Sequence, residues 1–179
     1  DEFRSRTSSL NPVLAGGRPN ERYVGFPVDG ASLKPLDSCN IGADYWAEIA
    51  RTVADNYDRY AGFVILHGTD TMVYTASALS FMLENLAKPV ILTGAQLSHL
   101  YNIRNDALQN LLTALQFANP AHCGLPLVPE VSVFFGDKLL RGNRARKVTA
   151  SGFDAFSSPD YADLAWAGER IVVHSGSVR

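Results

Sequence analysis

Residues 62–72 read Gly62-Phe63-Val64-Ile65-Leu66-His67-Gly68-Thr69-Asp70-Thr71-Met72. Gly62–Leu66 is a short unbroken apolar run, the pattern of a strand buried on both faces. His67–Thr71 is polar and turn-forming. Met72–Leu86 then carries Ala76, Leu79, Ser80 and Leu83 at helical spacing and ends at Lys88-Pro89. Strand, polar turn and helix make the first half of a βαβ unit. Downstream, Pro89–Thr93 is a second buried strand with Gly94-Ala95-Gln96 as its exit turn. Arg104–Phe117 is a helix, Glu130–Phe135 a third strand, Arg141–Lys147 a basic loop and Arg170–His174 a last strand. Upstream, Trp46, Ile49, Ala50, Val53 and Tyr57 recur at helical spacing over Ala43–Tyr60. Strands alternating with helices predict an α/β domain, a parallel sheet sandwiched by helices on both faces. Sites in such sheets lie at the carboxyl ends of the strands. His67–Thr71 and Gly94–Gln96 both occupy such ends, on consecutive strands.

Residues 1–36 hold Ser5–Ser9, Gly16-Gly17-Arg18-Pro19-Asn20 and Pro27-Val28-Asp29-Gly30, with no lasting periodicity. The expected organisation is therefore an irregular arm or replaced start over 1–36 and an α/β domain over 37–179. No internal repeat is visible.

A chain of 179 residues corresponds to one domain, at roughly 150 residues per domain. Its 16 Lys+Arg against 18 Asp+Glu give a formal net charge of -2, so no global field draws it to nucleic acid or an anionic membrane. No apolar run reaches the ~18 residues a membrane span needs. Asp1-Glu2-Phe3-Arg4-Ser5-Arg6 offers no apolar signal-peptide core. Cys39 and Cys123 form no CxxC; two free thiols in a reducing cytoplasm is the plain reading, with a single disulfide the alternative. No nucleic-acid partner, no membrane partner and a cytoplasmic location are expected.

There is no phosphate-binding GxxxxGK[ST], no GxGxxG after a strand, no HExxH and no GxSxG. His67, His99, His122 and His174 show no metal-ligand spacing, so no metal is expected. At 67–71 the chemistry is richer. Gly68 permits a tight turn, and Thr69, Asp70 and Thr71 stand where a helix begins. Free amides at a helix start favour a carboxylate, and Asp70 beside them can hold an ammonium. A site gripping both suits an amino acid. The competing reading is a plain helix cap. For Lys147 the competing reading is a solvated charged loop or a phosphate patch, for Asp37-Ser38 a cap, for His67 a satisfied core histidine, and for Gly94–Gln96 a turn and nothing more.

Taken as one unit, residues 62–72 resemble the bacterial-type L-asparaginase signature, Gly-x-apolar-x-x-His-Gly-Thr-Asp-Thr-apolar, at every fixed position. The resemblance continues through Ala76–Gly94, returns at Arg141-Gly142-Asn143-Arg144 with Lys147, and closes at Gly152-Phe153-Asp154-Ala155-Phe156 and Ser157-Ser158-Pro159. It covers roughly residues 35–160, with the flavour of the cytoplasmic type I branch. It implies an L-asparagine amidohydrolase that releases aspartate and ammonia without metal or organic cofactor. Thr69, Asp70 and Lys147 look like the family's catalytic Thr-Asp-Lys triad. Asp37 and Ser38 look like its substrate-binding pair, with Gly68 beside the triad and Ala95 offering its backbone to the substrate amide. Asp70 would also hold the substrate α-ammonium, and Ser38 the α-carboxylate.

The chain departs from the family in having no Thr-Gly-Gly-Thr-apolar motif, whose second Thr is the family's usual acylated nucleophile. By register that strand falls just ahead of residue 1, and the family's smaller C-terminal domain is absent, so a short or truncated member is expected. Two other readings remain. One is a non-catalytic amino-acid-binding fragment; the other is the asparaginase domain of a lysophospholipase-like protein. A nucleic-acid binder rests on Arg141–Lys147 alone. Apolar residues 76–92 need covering, which predicts a homo-oligomer.

Overall fold

The computed structural model describes residues 24–33, 41–97 and 104–178. The chain divides into two units, Asp1–Leu36 and Asp37–Arg179. In the first, Val24 and Phe26 are buried on either side of Gly25, which takes φ 77°. Asp37, Ser38, Cys39 and His99 lie outside the described residues.

The second unit opens with α1, Ala43–Asp55, which buries Ile49 and Val53, followed by a single 3-10 turn, Tyr57–Arg59. The helical spacing through Tyr60 therefore spans two elements, broken at Asn56, whose side-chain amide turns back to the Thr52 carbonyl. Next come β1 (Phe63–Leu66), α2 (Met72–Met82), β2 (Val90–Thr93), α3 (Ala107–Ala118) and the single turn α4 (Pro120–Cys123). The chain continues as β3 (Val131–Phe135), β4 (Lys138–Arg141), β5 (Arg146–Lys147), β6 (Phe156–Ser157), β7 (Ala165–Ala167) and β8 (Ile171–Val173).

Six strands form one sheet in the order β1-β2-β3-β4-β7-β8, and β5 pairs separately with β6. The α/β class holds, but the sheet is mixed. β1, β2 and β3 run parallel, with Phe63 opposite Val90 and Val90 opposite Val131. The remaining pairs are antiparallel. The switch comes at Gly136-Asp137, where Gly136 takes φ 63°, a left-handed conformation that glycine adopts without strain. A connection that short can only join antiparallel strands.

β2 and β3 are buried throughout, as continuous apolar runs require. Ile91 and Phe134 pack with Ala114 and Phe117 of α3. Val90, Leu92 and Val133 alternate with them, so they face the opposite side, where α2 supplies the buried Met72, Ala76 and Leu79. β1 corrects an expectation. Its residues are only half-buried and Leu66 is 52% exposed, because β1 ends the strand order among the described residues. The basic run 141–147 is likewise no simple loop. Arg141 ends β4, is buried, forks onto the Glu130 carboxylate and lies over the Tyr161 ring at 4.3 Å. That pairing commits one of the run's charges to the inside of the fold. Cys123 carries a free, half-buried thiol. Among the described residues no helix is long and apolar enough to cross a membrane.

Candidate active site

The site forms where β1 and β2 end. His67 extends the parallel ladder by donating its N–H to the Thr93 carbonyl at 2.9 Å. The two exit turns then touch backbone to backbone. A Cβ on Gly94 would stand 2.2 Å from the His67 carbonyl oxygen, so only glycine lets the turns close.

His67 itself is buried and fully partnered. Its Nδ1–H donates to the Gly68 carbonyl at 2.7 Å, and its Nε2 accepts from the Thr75 hydroxyl at 2.9 Å. Thr75 in turn accepts from the Trp46 indole N–H at 3.0 Å. The Gly68 carbonyl can only accept, so Nδ1 carries the proton, and burial disfavours a second one on Nε2, which is left to accept from Thr75. Burial pushes the imidazole pKa below its usual 6.5, the Gly68 bond opposing that only in part. His67 is thus the core histidine its alternative reading describes, bracing the turn that carries Thr69. The linkage has a definite sign. As pH falls through 6.5 the unfolded chain takes up a proton that the folded His67 refuses, so stability declines from there towards the lowered folded value. We expect the urea midpoint to fall over that window, and His67→Gln to flatten that part of the decline. Equal slopes in the two proteins would exclude His67 as the source.

The helix following this turn starts at Met72, with Thr71 at the N-cap position and no side-chain capping bond. Thr69 and Asp70 therefore precede the cap, and the capping alternative does not account for them. What they meet is Lys147. Its Nζ donates to Thr69 Oγ1 and to Asp70 Oδ1, both at 2.8 Å. Lys147 is delivered by the small β5–β6 ribbon, in which it lies opposite Phe156. Phe156 is buried against Phe135 of β3, with ring centroids 4.8 Å apart, so the ribbon is anchored to the main sheet. The Lys147 side chain is only 16% exposed, whereas that of Asp70 is 66% exposed. The pair thus presents its carboxylate to solvent at a cleft of about 270 Å³ lined by Asp70, Lys147, Val148, Thr149 and Ala150. A larger cleft of about 450 Å³ lies against Gln96, Arg104 and Phe153. It lacks the Lys147–Asp70 pair, so the smaller one is the candidate site.

Several participants escape a reading of local sequence. Thr69 Oγ1 also donates to Gln96 Oε1 at 3.2 Å. The Gly94–Leu97 turn, with half-buried Ala95 at its centre, is pinned from α3. Asp106 accepts from the Gln96 and Leu97 backbone amides at 2.9 and 3.1 Å, and Asn110 donates to the Gly94 carbonyl at 2.9 Å. The visible signal was an Asp and an Asn four residues apart at a helix start. Gly68 is exposed beside the triad. The structure thus brings Gly68, Thr69, Asp70 and Ala95 to neighbouring turns, sets Lys147 of β5 against Thr69 and Asp70, and leaves Asp37 and Ser38 outside the described residues.

The family profile described as "Asparaginase, N-terminal" matches residues 13–179. The chain belongs to the asparaginase family. It is 52% identical to L-asparaginase 1 of Escherichia coli over 136 residues, covering 76% of this chain and 38% of that protein. It is 47% identical to the human 60 kDa lysophospholipase over an alignment of 182 residues, covering 100% of this chain and 30% of that protein. Among solved structures, L-asparaginase I of Vibrio cholerae superposes with a TM-score of 0.73 at 50% identity, covering 80% of this chain and 42% of that one. The chain therefore spans well under half the length of these asparaginase-family relatives.

Proposed function

We propose that this chain hydrolyses the side-chain amide of L-asparagine to aspartate and ammonia. The observation that carries the reading is the single ammonium of Lys147 placed 2.8 Å from both a hydroxyl and a carboxylate, Thr69 and Asp70. An amide carbonyl needs a nucleophile, a proton carrier and a hold on the substrate. Among the described residues the hydroxyl so placed is that of Thr69: its Oγ1 attacks the amide carbon, the Lys147 ammonium gives a proton to the departing nitrogen, which leaves as ammonia, and Lys147 takes the Thr69 proton in its place. Water then attacks the resulting ester, restoring the Thr69 hydroxyl and freeing aspartate. The scheme uses no metal and no organic cofactor. Asp70 Oδ1 holds Lys147, and its exposed carboxylate takes the substrate α-ammonium. Ser38 takes the α-carboxylate, with Asp37, Gly68 and the Ala95 backbone completing the grip as the family resemblance implies.

The 47% identity to the human 60 kDa lysophospholipase supports a second reading, in which this domain works as the asparaginase part of a longer protein. In either reading we place the protein in the cytoplasm, with no nucleic-acid or membrane partner. We also propose a homo-oligomer. β2 is covered within the chain, but Tyr74, Phe81 and Met82 of α2 remain exposed, Phe81 at 70%.

Ammonia release from asparagine, followed beside aspartate binding by calorimetry, tests the assignment. We expect turnover by the chain, and Asp70→Asn to weaken aspartate about tenfold, the low end for a charge-assisted contact because Asp70 is solvent-exposed. Aspartate binding without any ammonia release would favour an amino-acid-binding module instead.

A further inference from the structure

Gln96 sits in the β2 exit turn, half-buried. Its amide nitrogen donates to the Gly152 carbonyl at 3.1 Å and reaches the Thr149 carbonyl at 3.5 Å. Its amide oxygen accepts from Thr69 Oγ1 at 3.2 Å. These partners fix which way the amide faces. Turned over, its oxygen would oppose two carbonyl oxygens, and its NH₂ would compete with Lys147 for Thr69 Oγ1. The backbone beneath it is equally constrained, since the buried Asp106 carboxylate accepts from both the Gln96 and Leu97 amides.

We infer that Gln96 is a positioning residue for Thr69. This rests on the reading of Thr69 as the reacting hydroxyl. Oγ1 is held from two sides, by Lys147 donating to it and Gln96 accepting from it. A threonine hydroxyl with one partner can exchange χ1 rotamers; with two partners on different elements it is held in one. The O–H bond still turns about Cβ–Oγ1, so the proton can swing from Gln96 to Lys147 once Lys147 has given one of its own to the leaving nitrogen. What the two partners fix is the place of the oxygen. Gln96 does a second thing through its other end. Thr149 lines the Asp70–Lys147 cleft, and Gly152 closes the same ribbon loop. One side chain thus ties the cleft wall to the hydroxyl.

The test compares wild type, Gln96→Met and Gln96→Glu by steady-state kinetics on asparagine, and by three-bond couplings to a labelled Thr69 methyl, which report χ1. We expect a single Thr69 rotamer in wild type and averaging in Gln96→Met. We expect kcat to fall about tenfold in that variant, with KM within about twofold. In Gln96→Glu a protonated carboxyl group reproduces the two shorter bonds, its O–H donating to the Gly152 carbonyl and its C=O accepting from Thr69. The kcat of Gln96→Glu relative to wild type should therefore rise as pH is lowered from about 8 to about 6. An unchanged Thr69 rotamer in Gln96→Met, or a loss carried wholly by KM, overturns the inference. If wild type releases no ammonia, the hydrolase reading fails and the couplings alone decide the positioning role. If Gln96→Met does not fold, the couplings and pH trend of Gln96→Glu decide it.

Discussion

Replacing Lys147 by Met should leave a folded protein that releases ammonia from asparagine about 10³-fold more slowly than wild type. The geometry gives the reason. Lys147 is the common partner of Thr69 and Asp70, and no described histidine stands in for it. His67 is closed off by Gly68 and Thr75, His174 turns its Nδ1 to the Asp163 carbonyl, and His122 lies in α4, beyond the end of α3 that packs against Gly62 at the start of β1. Methionine keeps most of the stem volume that packs in the ribbon and removes the described group placed to relay a proton between Oγ1 and the leaving nitrogen. The fold should scarcely notice. The Lys147–Asp70 pair is open to solvent on the carboxylate side, and such pairs contribute about 0–1 kcal/mol. Thermal melts establish that the variant folds, and a coupled ammonia assay reads the rate. A Lys147→Met protein that turns over at the wild-type rate would remove Lys147 from the chemistry.

The fold was legible where local pattern and tertiary demand agree. β2 and β3 are unbroken apolar runs because both faces of each strand are covered. β1 carries the same kind of run yet ends the strand order among the described residues, and its exposure depends on neighbours the run itself does not encode. The antiparallel half was hidden for a different reason. Lys138–Arg141 sets two charged residues around a buried Leu139-Leu140, and Arg141 is tolerable inside because Glu130, just ahead of β3, and the Ser177 carbonyl meet its guanidinium. The site shows the same division. Thr69 and Asp70 announce themselves as a polar turn at a strand end. Lys147 reaches them from 78 and 77 positions away, so its local surroundings read as a charged loop. Gln96 looked like one more turn residue, since its partners Thr69, Thr149 and Gly152 lie 27, 53 and 56 positions off.

Thr69→Val should cost at least ~10² in kcat, the loss expected when a group acting in the transition state is removed. Valine matches threonine in shape and is likewise branched and stiff at χ1, so the turn should persist. Stability falls through the unmet Gln96 Oε1 and one Lys147 donor, by about 1–2 kcal/mol in a half-buried, partly wet setting. Aspartate affinity should hold within about threefold, because the proposed contacts to the α-groups belong to Asp70 and Ser38 rather than to Oγ1. Thr69→Ser supplies the control. It restores the hydroxyl and both of its partners, and differs by one methyl group, so most of the lost rate should return. These measurements together separate the two ways Thr69 can matter. If Oγ1 forms the ester, Thr69→Val loses turnover while keeping aspartate, and Thr69→Ser regains it. If another hydroxyl reacts and Thr69 only shapes the cleft, Thr69→Val falls by no more than a loss of aspartate affinity explains. A Val variant with near wild-type kcat would assign the Thr69 hydroxyl to structure and send the search for the nucleophile elsewhere.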